Sequence, residues 1–116
     1  MGILSGKEKG AYSMTEEHVI QNQIQLALAD TCQLFRMNVG AAYTLNGNYF
    51  KTGVPKGFSD LFGFRKSDGR AVFIEVKTAK GRASDDQKRF ISQMKKKGAI
   101  AGICRSPEEA LRLVKE

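Results

Sequence analysis

A chain of 116 residues with 41% hydrophobic and 27% charged side chains has the balance of one globular domain with a single core, and excludes disordered and fibrous classes. Its net charge of +7 favours a polyanionic partner, although a solubilising surface accounts for the same figure. No apolar run reaches the roughly 18 residues that span a bilayer, and MGILSGKEKGAYS lacks the apolar stretch of a leader peptide, so the expected location is cytoplasmic, with no membrane contact. Cys32 and Cys104 form no CxxC and read as reduced, buried thiols, and a single His18 excludes His-rich zinc sites and disfavours a His-based triad.

In chain order, residues 1–14 read as a flexible arm ahead of one domain over 15–116. Ser13 and Glu16 form an S-x-x-E capping box for a helix to about Asp30, with Ile20, Ile24 and Leu28 as its stripe and Ala27 beside it. CQLFRMNV reads as a first strand. From Gly40 to Gly57 four glycines, one proline and two asparagines predict a long loop with a short strand at Tyr49 and Phe50. DLFGFRKSDGRAVFIEVKT is a hairpin turning at Asp68-Gly69. Ser84 caps a helix that runs through Lys97 and stops at Gly98, with Gln87 as its box partner. AIAGICR is a buried strand, and Ser106, Pro107 and Glu109 start a last short helix. The strand-helix-strand unit over 71–104 predicts a right-handed parallel crossover.

Polar residues interrupt this pattern at several places. In VFIEVKT, strand alternation puts Val72, Ile74 and Val76 on one side and Phe73, Glu75 and Lys77 on the other, the latter with few apolar neighbours expected. Glu17 extends the first helix's apolar stripe backwards, where a carboxylate is costly unless a cation meets it; an exposed first-turn Glu favoured by the helix dipole is the plain alternative. Gln87 lies on the apolar face of Phe90, Ile91 and Met94, and its side chain is expected either to cap or to face the core, not both. A turn centred on Asp68-Gly69 pairs Asp60 near Lys77 and brings it diagonally to Glu75. Convergent carboxylates repel unless a cation binds, and oxygen donors of this kind suit Mg²⁺ or Mn²⁺. A lysine beside such an ion can orient the attacking water and stabilise developing charge. Taken alone, Glu75 and Lys77 are equally a salt-bridged strand face. Nine cations crowd into residues 77–105: Lys77, Lys80, Arg82, Lys88, Arg89, Lys95, Lys96, Lys97 and Arg105.

The ordered set of SD, fourteen residues, EVK and then DDQ in the next helix resembles the PD-(D/E)xK nuclease superfamily. Within it, EEHVIQNQI, FRMNVG, GVPKGFSDLFG and FIEVKTAKGRASDDQKRFISQMKKKG resemble the virus-type replication-repair nuclease (VRR-NUC) domain over roughly residues 15–104. The resemblance implies an α/β, restriction-endonuclease-like core, α-β-β-β-α-β, with a central mixed sheet flanked by helices and a short C-terminal helix. It implies a Mg²⁺- or Mn²⁺-dependent endonuclease in which Asp60, Glu75 and the Val76 carbonyl bind metal. Glu17 matches the first-helix acid of that metal site, Lys77 the catalytic lysine and Gln87 the second-helix glutamine. Lys56, Lys80, Arg82 and Lys88 are the expected DNA contacts. Small stand-alone members are typically phage proteins acting in the host cytoplasm, some as homodimers on branched DNA such as four-way junctions. Ser59 replaces the proline of the superfamily name, and Glu16 competes with Glu17 as the helix acid. Lys56 and Gly57 make the lead into Asp60 basic and flexible. Two other readings compete: a non-catalytic nucleic-acid-binding domain, and a sequence-reading restriction-type nuclease, which the lack of a separate recognition domain weakens.

Overall fold

The computed structural model describes residues 15–37, 41–43, 46–51 and 53–116. Helix α1 (Glu16–Ala27) starts behind Thr15, whose hydroxyl accepts a hydrogen bond from the His18 backbone N at 3.1 Å. The cap is therefore Thr15, two residues later than the expected Ser13, which lies outside the described residues. The helix also ends earlier than Asp30. The Thr31 and Cys32 amides both donate to the Leu28 carbonyl, at 3.0 and 2.8 Å, and this turn delivers the chain into β1 (Cys32–Arg36). Ile24 and Leu28 are fully buried, Ile20 is partly buried, and Ala27 faces solvent.

Strands β2 (Ala41–Tyr43) and β3 (Tyr49–Lys51) pair antiparallel as a separate two-stranded sheet within the stretch read as loop. Three-residue strands are too short to show alternation in sequence, which is why only Tyr49 and Phe50 were legible. The side chains of Tyr43, Leu45, Tyr49 and Phe50, a candidate apolar patch for a dimer, lie outside the described residues, as does the arm over 1–14.

The main sheet has the order β1-β4-β5-β6, with β4 (Leu61–Arg65), β5 (Ala71–Val76) and β6 (Ile100–Cys104). The pairs β1·β4 and β4·β5 are antiparallel, and β5·β6 is parallel, as the crossover through α2 (Asp85–Lys96) requires. Ser84 and Gln87 form the expected reciprocal capping box, and Gly98 takes the left-handed conformation at φ 101°. Ser106 caps α3 (Pro107–Val114), with Pro107 in the first turn.

The hairpin register differs from expectation. Leu61 pairs with Ile74 and Phe62 with Phe73, so the same register carried on sets Asp60 opposite Glu75, not near Lys77. The loop holds four residues, Lys66 to Gly69: the Arg65 amide donates to the Arg70 carbonyl at 2.9 Å, and the Gly69 amide to the Arg65 carbonyl at 2.7 Å. Asp68 accepts from the Arg70 amide and from the Arg65 guanidinium, so Asp68 and Gly69 end the loop instead of centring it.

Both faces of the sheet are covered. Val72, Ile74 and Val76 pack with Leu34 and Leu61 against α1 and α3. On the other face Phe73 joins Phe58, Phe62 and Phe90 beside Ile91 and Ala101, with Phe62 stacked on Phe73 at 4.9 Å between ring centroids. The face bearing Glu75 and Lys77 is therefore rich in apolar neighbours, contrary to expectation, because a sheet with helices on both sides must bury both. The close approach of β1 to β4 requires Gly63: an added Cβ there would lie 1.7 Å from the Gln33 carbonyl oxygen. Gly63→Ala is expected to cost about 2–3 kcal/mol, read as a fall in Tm on the order of 10 °C in thermal denaturation.

Candidate active site

The site is assembled where β4 begins and β5 ends. Glu75, the next-to-last residue of β5, is only 1% exposed. Its Oε2 accepts a hydrogen bond from Gln87 Nε2 at 2.8 Å and lies 3.5 Å from Lys77 Nζ, while its Oε1 is buried with no hydrogen-bond partner. Asp60, immediately before β4, accepts from the Val76 amide through Oδ2 at 2.8 Å. Lys77 Nζ lies within ion-pair distance of two carboxylates, Glu75 and also Glu17, whose Oε2 is 3.9 Å away. Glu16 is exposed, so Glu17 is the helix acid that reaches the lysine. The cation that a carboxylate on the core-facing stripe of α1 requires is thus Lys77.

Gln87 does both of the things expected to exclude each other. Its Oε1 accepts from the Ser84 amide at 2.8 Å while its Nε2 donates to Glu75. An amide presents an acceptor and a donor on opposite sides, so one side chain closes the capping box and holds the carboxylate.

Burial, and next the neighbouring Asp60 charge, push the Glu75 carboxyl up to about 8, with Lys77 acting in the opposite direction. Burial also pushes the Cys104 thiol up to about 12 and raises that of Cys32. Both cysteines are free and buried, as expected, and neither supplies a thiolate nucleophile near neutral pH.

Among the described residues, no three His, Cys, Asp or Glu side chains converge on one point. A small hard cation needs only one or two carboxylates, completed by carbonyl oxygens and water. The adjacent Asp60 and Glu75, with a buried carboxylate oxygen lacking any hydrogen bond, fit that requirement.

The lead into Asp60 is packed, not free. Gly57 is buried at φ 91°, an added Cβ would lie 2.6 Å from the Asp86 carbonyl oxygen, and Phe58 enters the aromatic cluster. Lys56 is exposed, 3.8 Å from Asp86 Oδ2. Lys80, Arg82 and Lys88 line an open cleft beside the β5–α2 connection. The sequence reading missed Gln21, 4% exposed and one turn beyond Glu17 on the same helix face. Its spacing, four residues after Glu17 and three before Ile24, was the available signal.

With this arrangement established, the VRR-NUC domain family model matches residues 13–108. The chain belongs to the VRR-NUC family. A solved structure described as a VRR_NUC domain shares the fold at a TM-score of 0.62 and 18% identity, covering 89% of this chain and 98% of that chain. No curated protein sequence matches this VRR-NUC chain. Family membership makes it a nuclease-type domain, for which DNA is the implied substrate.

The raised Glu75 pKa has a consequence for stability. Between the ordinary carboxyl value of 4.5 and about 8 the folded protein holds a proton that the unfolded chain has released, so stability falls as pH rises through that window. In EDTA, Glu75→Gln is expected to melt several degrees above the parent near pH 8. The difference should vanish near pH 4, where both side chains are uncharged, as followed by circular dichroism.

Proposed function

We propose that this domain is a divalent-metal-dependent DNA endonuclease that hydrolyses phosphodiester bonds. The observation that carries the reading is the buried Glu75 carboxylate, with one oxygen unpartnered, beside Asp60 and within reach of Lys77. In this reading Asp60, Glu75 and the Val76 carbonyl hold Mg²⁺ or Mn²⁺, and Glu17 supplies a further acidic group beside Lys77. A bound divalent ion would supply Lewis acidity toward a phosphate oxygen and toward water.

The protein's own groups divide the remaining work. Gln87 holds Glu75 by Oε2, which leaves Oε1 for the ion. The Val76 amide orients Asp60 in the same way, through Oδ2. The Lys77 ammonium, kept in place by Glu75 and Glu17, orients the attacking water and offsets negative charge developing on the phosphate. Lys56, Lys80, Arg82 and Lys88 contact the DNA backbone. The presence of Asp60, Glu75 and Lys77 together favours catalysis over a binding-only role.

Cleavage is expected with Mg²⁺ or Mn²⁺ and none in EDTA, with four-way junctions cut faster than forked or linear DNA. Asp60→Ala and Glu75→Ala should lose cleavage yet bind DNA in EDTA; a parental rate in either variant places the site elsewhere. Lys77→Arg keeps the charge but not the compact ammonium, and its rate should fall by about 10²-fold, the scale of losing one electrostatic contributor. A rate near the parent's would return Lys77 to a charge-balancing role.

A four-way junction needs two matched cuts, which a two-fold homodimer presents symmetrically. Light scattering at micromolar concentration should therefore give twice the chain mass of 12.8 kDa; a monomer mass with and without junction DNA refutes the dimer.

A further inference from the structure

Counted from the sequence, Arg105 is one more cation in a DNA-facing cluster. Its guanidinium instead turns inward. Nη1 donates to the Gly81 carbonyl at 2.6 Å and to the Thr78 carbonyl, with the Ala79 carbonyl at 3.5 Å. The Arg105 amide donates to Glu109 Oε1 at 2.6 Å, which ties the start of this clamp to α3. The Gly81 amide bonds Thr78 through both its carbonyl and its Oγ1, each at 3.1 Å. The β5–α2 connection is thus a tight turn closed around a half-buried guanidinium.

That turn separates two functional regions. On one side it abuts Lys77: an added Cβ at Gly81 would lie 3.6 Å from Lys77 Cδ. On the other it forms the wall of a cleft of about 640 Å³, which Lys80 and Arg82 line from the turn, Lys88 from α2, Ile103 from β6, and Arg105 itself from the residue after β6. No carboxylate lines the cleft. Among the described residues, Lys80, Arg82 and Lys88 make no ion pair with an acidic side chain, whereas Lys56, Arg65, Lys77 and Arg89 each do. Three cations without an acidic partner, beside an Arg105 guanidinium engaged by carbonyls and next to the apolar Ile103, suit a sugar-phosphate backbone, with phosphate meeting the charges and sugar the Ile103 side chain.

We propose that Arg105 is a positioning residue. By gathering the carbonyls of the 78–81 turn it holds Lys80 and Arg82 beside Lys88 as a preformed subsite for the DNA backbone next to the phosphate being cut. This rests on the nuclease reading. Without the guanidinium these carbonyls lose their shared donor, the turn loosens, and the cost of ordering it falls on DNA binding.

The test is a double-mutant cycle on the full chain, in EDTA so that no cleavage occurs, with fluorescein-labelled duplex DNA followed by anisotropy over a KCl series. Lys80→Ala/Arg82→Ala should weaken binding about 10-fold or more and reduce the slope of log affinity against log salt by about two. Arg105→Gln should weaken binding several-fold. Combined with the lysine and arginine changes it should add less than about a further twofold, because it acts through them. Additive losses would overturn the positioning role, and parental binding by Lys80→Ala/Arg82→Ala would overturn the subsite. If the parent itself fails to bind DNA, the nuclease reading fails first. Should Arg105→Gln not fold, Arg105→Met, which removes the donors and keeps most of the apolar stem, goes through the same cycle with the same criteria.

Discussion

A carboxylate buried to 1% exposure at the end of the central strand is the constraint around which this domain is arranged. An unpaired charge in such a place is expensive, and two helices and the residue just past the strand each contribute to managing it. Helix α2 supplies a donor through Gln87, the residue past the strand a cation through Lys77, and helix α1 a second acid that keeps the lysine in position. Burial raises the Glu75 pKa most, and Asp60, which faces it, raises it further. A fold under selection for stability alone would separate two such acids. Under the proposed function, keeping them together is a cost accepted in the empty protein to favour a cationic ligand.

Local signals were legible where one residue decides one turn. Ser84 with Gln87, Ser106 with Pro107 and Glu109, and Gly98 each act over three or four residues, and each stands where the sequence places it. Asp60, Glu75, Lys77, Glu17 and Gln87 were recognisable as interruptions of apolar periodicity, and the fold gathers all five. The hairpin register was less accessible because Asp68-Gly69 is compatible with loops of more than one length. Here Asp68 is bound by Arg65 and Arg70, which fixes the four-residue form and shifts Asp60 by two places. The aromatic second core was hidden because Phe58, Phe62, Phe73 and Phe90 come from four separate segments and meet only in three dimensions.

Arg105 illustrates a different limit. Net charge and the position of basic residues along a chain describe composition, whereas the field that a polyanion meets depends on where each charge points. One nitrogen of the Arg105 guanidinium gathers the carbonyls of a tight turn, so a cation counted from the sequence is here engaged by backbone. Of the cations between residues 77 and 105, Lys77 faces acids, Arg105 faces carbonyls, and Arg89 pairs with Asp86 on its own helix.

The first turn of α2 supports both carboxylates at once. Gln87 reaches Glu75 from it, and the Asp86 backbone is the surface on which Gly57 rests just before Asp60. Helix termini are where local opening begins, and here that opening would withdraw the support of two acids on two different strands together. The pair therefore belongs to one cooperative unit. Amide exchange at the start of α2 would report the lifetime of the intact site more directly than exchange in the strands that carry its acids.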